Sequence, residues 1–163
     1  MVRGAWIPNG AEGPGPLTHE ANHLRFGPEG RRTACACSLL VVSVTPSLDL
    51  VSCCGLNLEY IPELHVSSVR DRSLGAALAE VRPDLLKMWI HVEGPERVLE
   101  FVKEKAPEFQ LPLDSAHICH TCQYLHDSPR SREILRRFGH EVETRILEKY
   151  LLVAAGNQLA ARL

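Results

Sequence analysis

The six cysteines constrain this chain more than any other feature, because they fall in three close pairs: Cys35-Ala-Cys37, Cys53-Cys54 and Cys119-His-Thr-Cys122. Pairing of this kind is what a shared metal centre needs. In Cys-x-x-Cys two thiolates reach one ion or cluster from a single tight turn, and a second pair elsewhere completes four-coordination for zinc or for a cubane cluster. Cys53 and Cys54 are adjacent, and neighbouring side chains on a strand point to opposite faces. One of them is therefore expected as a ligand, and Cys54 as a small packing residue. Cys35 and Cys37 share one face of an extended chain, so geometry alone does not choose between them.

The rest of the sequence narrows the setting. The first ten residues, MVRGAWIPNG, contain no apolar run long enough for the core of a signal peptide, so a reducing cytoplasm is expected, where clustered cysteines point first to metal. The least polar stretch, residues 33–48, is 16 residues long and includes Ser, Thr and Pro; spanning a bilayer takes roughly 20. No membrane span is expected. With 18 Lys+Arg against 20 Asp+Glu, the chain has no strong field for capturing nucleic acid. The small basic cluster Arg130, Arg132, Arg136 and Arg137 reads as a solvated face balanced by Glu133 and Glu141.

The fold expected is α+β: a β-hairpin or three-stranded sheet with packed helices and a long C-terminal amphipathic helix. Residues 1–34 form a Pro/Gly-rich arm; the first thirty hold six Gly and four Pro with almost no apolar periodicity. Residues 35–127 form a cysteine-rich metal-binding domain. Within it Ser38 to Thr45 reads as a strand, Leu50 to Cys54 returns after the Thr-Pro-Ser-Leu-Asp turn, and Leu64 to Val69 gives a third. Ser73 to Val92 is helical, with Pro83 opening a second helix, and Gly94-Pro95 starts another. Residues 128–163 form the last helix, with Ile134, Leu135, Phe138, Val142, Ile146, Tyr150 and Val153 on one stripe, Glu141 and Arg145 spaced as an exposed pair, and Gly139 as its weak point.

From Cys37 onward the sequence resembles a known family. Cys37, ten residues, Leu48, four residues and Cys53, in the phrase VTPSLDLVSCCG, is similar to the C-terminal auxiliary-cluster region of radical S-adenosylmethionine (radical SAM) proteins, the SPASM or twitch type. LHVSSVRDRSLGAAL resembles that family's short strand and small helix, and HICHTC resembles its downstream cysteines. The chain departs from the family at Leu48, where the pattern has Gly, and at Ser67-Ser68, where it often has Gly-Asn. It also lacks the Cys-x-x-x-Cys-x-x-Cys that binds the cluster cleaving S-adenosylmethionine. The resemblance implies that Cys37, Cys53, Cys119 and Cys122 hold one [4Fe-4S] cluster. It also implies a chain not catalytic alone, whose partner is a radical SAM core protein or an upstream domain for which the arm is the linker. One geometric condition attaches. If Thr45 pairs with Leu50, Cys53 lies opposite Val42, roughly 17 Å of straight strand from Cys37 at ~3.3 Å per residue. The chain before Ser38 must then bend back.

His117, His120 and His126 flank Cys119 and Cys122 and raise an alternative. This is a zinc site on the same four cysteines, or with one His replacing a Cys, in an interaction module whose long helix from Ser131 to Tyr150 docks on a partner. Otherwise these histidines are expected as solvated loop residues. His19, His23, His65, His91 and His140 have no partner at ligand spacing and are given no role.

Overall fold

The computed structural model describes residues 24–25, 34–35, 37–55, 61–112, 114–115 and 118–160. Among these are five strands in two sheets and seven helices, an α+β architecture. β2 (Ser43–Val44), β3 (Asp49–Val51) and β4 (His65–Ser68) form an antiparallel sheet in the order β2-β3-β4, with Val44 opposite Leu50 and Leu50 opposite Ser67. Apart from β1 (Leu24–Arg25), which pairs antiparallel with β5 (Asp114–Ser115), the Pro/Gly-rich arm lies almost wholly outside the described residues.

The β2–β3 turn shows how sequence sets register. Leu48 N–H donates to Thr45 O (2.9 Å), Thr45 N–H to Asp49 O (2.9 Å), and Asp49 N–H to Thr45 Oγ1 (3.1 Å). Pro46 supplies the fixed φ of a turn entry, and Leu48 closes the turn at φ +64°, a left-handed conformation that glycine adopts without cost. This is the position where the resembled pattern has Gly.

The strand expected over Ser38 to Thr45 is only half present. Its first part is a kinked helical turn, α1 (Cys37–Leu40), in which Ser38 is extended (φ −63°, ψ 123°) and Leu39 is left-handed (φ 72°). The kink occurs because the segment is tied to a helix: Cys35 N–H donates to Ile90 O (3.0 Å) and Ser38 Oγ to Lys87 O (3.2 Å).

That helix is α3 (Leu85–Glu93), and Asp84 Oδ1 caps it by accepting the Lys87 N–H (2.8 Å); the cap is Asp84, with Pro83 just outside. Preceding it, α2 (Leu74–Leu78) is capped by Ser73. Gly94, at φ 85° and ψ 160°, ends α3 and starts α4 (Pro95–Lys105) in a conformation essentially reserved for glycine. α5 (Ile118–Asp127) follows the loop at Pro107 and Pro112, then come α6 (Pro129–Phe138) and α7 (Glu143–Ala160).

The long terminal helix is thus two helices. A 3-10 turn at Gly139–Glu141 separates them, at the weak point noted in the sequence. The break sends Glu141 to Lys105 and Arg145 to Glu93, so the expected Glu141–Arg145 pair does not form. Of the basic cluster, Arg130 pairs with Glu133 (2.8 Å) and Glu108 (2.9 Å), and Arg132 with Glu63 (2.7 Å), a solvated ion-paired face.

The buried residues gather in two groups. The larger joins α3 to α7 through Trp89, Leu99, Val102, Leu125, Ile134 and Ile146, with the Trp89 ring edge-on to Phe101 at 5.1 Å. The smaller lies under the sheet and consists of Val51, Ile61 and Leu64. Cys122 packs against both, which places the cysteines at the junction of the helical core and the sheet. No helix among the described residues is long and apolar enough to cross a membrane.

Candidate metal centre

Three separate segments deliver the thiols. The first is the bend at 35–40, held on α3 by the bonds already described and by His91, a buried side chain whose Nδ1 lies 3.3 Å from the Cys35 carbonyl. His91 also meets Tyr150 of α7 edge-on at 6.0 Å. The second segment follows β3. Cys53 and Cys54 lie past the last strand residue, Val51, so the alternation of strand side chains no longer applies to them. Cys54 Sγ stands 2.7 Å from Cys37 Sγ, while Cys53 Sγ accepts the Gly55 N–H at 3.2 Å. The third segment is the first turn of α5, where Cys119 and Cys122, three residues apart, face the same way.

Gly55 lets the segments close. A Cβ at that position would lie 2.8 Å from Cys119 Sγ and 3.3 Å from Cys53 Sγ, nearer than side chains tolerate. The hydrogen on Gly55 therefore leaves the space in which these two sulfurs meet.

Electrostatics tie Cys35, Cys37, Cys53, Cys119 and Cys122 together. Burial raises the Cys122 thiol far above its usual range, and the charges of Cys35, Cys53, Cys119 and Glu96 add to the shift. Burial likewise raises Cys53, with Cys35, Cys119 and Cys37 contributing, and it raises Cys35, with Cys37 and Glu96 contributing. Cys37 is pushed up to about 11, first by its bond to Cys54 and then by burial. Cys35, Cys37, Cys53 and Cys122 are therefore thiols at neutral pH. A soft cation that binds them as thiolates offsets the burial that raises them.

Glu96 belongs to the same neighbourhood. It is only 4% exposed, neither carboxylate oxygen has a hydrogen-bond partner, and burial pushes its carboxyl up to about 7. Its charge acts on Cys35 and Cys122, both half-buried.

All four cysteines expected as ligands come into this region. Cys37 is drawn to its rim by Cys54; Cys35, left open in the sequence, lies close enough to Cys122 for their charges to interact. Cys54, expected as packing, is half-buried against Cys37. His117 lies outside the described residues, and His120 is exposed on α5. His126 is no solvated loop residue: it is 3% exposed on α5, with Nδ1 3.5 Å from Glu63 Oε2, and burial holds it below its usual pKa. His91 had no expected role, and neither Glu96 nor Gly55 stood out among the residues. Gly55 had a visible signal, directly after Cys53-Cys54, whereas Glu96 reads as an ordinary first-turn acid of α4.

Among the described residues, no three Cys, His, Asp or Glu side chains gather tightly enough to hold a single ion. The donors that the three segments bring to the seam are soft, half-buried thiols, the kind that zinc or an iron-sulfur cluster takes. No protein family, curated protein or solved structure matches the chain.

Proposed function

We propose that this chain is an auxiliary [4Fe-4S]-binding domain of the kind that its sequence resembles in radical SAM proteins, acting with a core protein or domain that supplies the radical chemistry. The observation that carries the reading is the arrival of Cys35, Cys53, Cys119 and Cys122 from three segments at the junction of helical core and sheet, with Cys53 and Cys119 closing on Gly55. Cys53, Cys119 and Cys122 are the ligands already expected. The fourth is Cys35 in place of Cys37, because Cys35 packs with Cys122 against the helical core and Cys37 is engaged by Cys54.

When bound, the cluster supplies one-electron chemistry. The protein's part is to hold and shield it. The α3 carbonyls and His91 orient the 35–40 bend, Gly55 gives close approach, and the apolar side chains on either side of Cys122 keep water away.

The test is anaerobic reconstitution with iron and sulfide, followed by metal analysis and electron paramagnetic resonance of the reduced sample. Cys35→Ser, Cys53→Ser, Cys119→Ser and Cys122→Ser should each lose most of the cluster, and Cys37→Ser should keep it. Uptake of one zinc in preference to iron would instead support the zinc-stabilised module. Loading indifferent to all these substitutions would refute both.

A further inference from the structure

Cys37 and Cys54 form a pair at the rim of the four-thiol group. Their sulfurs are 2.7 Å apart, nearer than unbonded sulfurs ordinarily approach and only about 0.7 Å beyond an S–S bond of about 2.05 Å. They are 17 residues apart in sequence, at the two ends of the segment that contains the β2–β3 hairpin. Neither is deeply buried, so a small reagent can reach them. Their approach is also built into the backbone. The left-handed Leu39 and the ties of Cys35 and Ser38 to α3 turn Cys37 back toward the exit of β3.

We infer that Cys37 and Cys54 are a redox-active dithiol at the rim of the cysteine centre, joined and released by exchange with a small-molecule disulfide of the glutathione class. One thiol loses its proton and attacks a sulfur of the oxidised tripeptide, breaking its S–S bond, forming a mixed disulfide and releasing one reduced tripeptide. The second thiolate then attacks the protein sulfur of that mixed disulfide, forms the Cys37–Cys54 bond and expels the second reduced tripeptide. The two protein thiols give up two protons and two electrons, and one oxidised glutathione becomes two reduced molecules. The bond would fasten the bend to the chain beside Cys53, fixing two of the three segments that build the centre. The inference rests on the geometry of this pair and stands whether or not the four-thiol group holds a cluster.

The full chain, purified without oxygen, is equilibrated in glutathione buffers from fully reduced to fully oxidised, alkylated, cut with chymotrypsin and mapped by tandem mass spectrometry. A single Cys37–Cys54 cross-link should form and reverse as the ratio is changed. Cys37→Ser and Cys54→Ser should each abolish the cross-link, leave a glutathione adduct on the remaining cysteine, and keep the metal content of the native chain. Cross-links scattered over other cysteine pairs, or none in the fully oxidised buffer, would overturn the inference, as would loss of bound iron in Cys37→Ser. The specific cross-link in a chain that binds no iron would uphold it and refute only the cluster.

Discussion

At the scale of single residues, backbone conformation and close approach explain positions that composition leaves neutral. Leu48 holds a φ of +64° that costs a side-chain-bearing residue about 1–2 kcal/mol. Leu48→Gly should therefore raise stability by up to about 1 kcal/mol, after the entropy that glycine adds to the unfolded chain, as read in urea midpoints. A midpoint that falls would mean that the half-exposed leucine contributes more than its strain. Gly55 works in the opposite sense. Gly55→Ala places a methyl 2.8 Å from Cys119 Sγ, a short side chain fixed on α5, so overpacking should cost roughly 1–3 kcal/mol and lower iron uptake more than Gly75→Ala, which meets nothing.

Glu96 gives the metal-free chain a pH dependence. Its folded value of about 7 lies above the ordinary 4.5, so the folded chain binds the proton more tightly than the unfolded one. Its contribution is complete below 4.5 and is lost as pH rises through about 7. Thermal midpoints should fall between pH ~5 and ~8, and Glu96→Gln should flatten that slope, by at most on the order of 3 kcal/mol. An unchanged slope would remove Glu96 from this account.

At the scale of elements, the helices were largely legible and the first strand was not. Ser73, Gly94-Pro95 and the spacing of Val98, Leu99 and Val102 mark helices that the structure contains. SLLVV reads as strand because its residues are β-branched or apolar, yet hydrogen bonds to Ile90 O and Lys87 O, both distant in sequence, turn it into a bend. The terminal stripe spans two helices, since a helical period is kept on average across a single 3-10 turn.

Glu93 joins α3 to α7. Its Oε2 accepts the buried Trp89 indole N–H at 2.8 Å, and Arg145 and Lys149 pair with its other oxygen. Burial pushes its carboxyl up, but the bonds from Lys149 and Trp89 outweigh that and hold it below its usual value. This contribution is present above the unfolded value and is lost as pH falls through the folded one, the reverse of Glu96. Glu93→Ala leaves the Trp89 N–H without its acceptor and should cost roughly 1–3 kcal/mol, with the deficit narrowing in acid; equal loss at every pH would contradict the ion pairs.

At the scale of the whole molecule, three segments distant in sequence meet where the helical core abuts the sheet, and Cys122 packs on both sides of that seam. The strand and helix signals in the sequence were enough to foresee an α+β fold. Which cysteine of each pair faces which depends on the α3 carbonyls, the Leu39 kink and the chain leaving β3, and these are long-range contacts without a local signature. The partnerless Glu96 is likewise invisible until burial is known. The proposed function requires that this seam hold one iron-sulfur cluster. The most direct measurement is iron, zinc and acid-labile sulfide per chain, on protein purified without oxygen and without added metal. About four iron and four sulfide, falling together in Cys122→Ser, is the result predicted; zinc without sulfide, or iron unaffected by loss of Cys122, would contradict it.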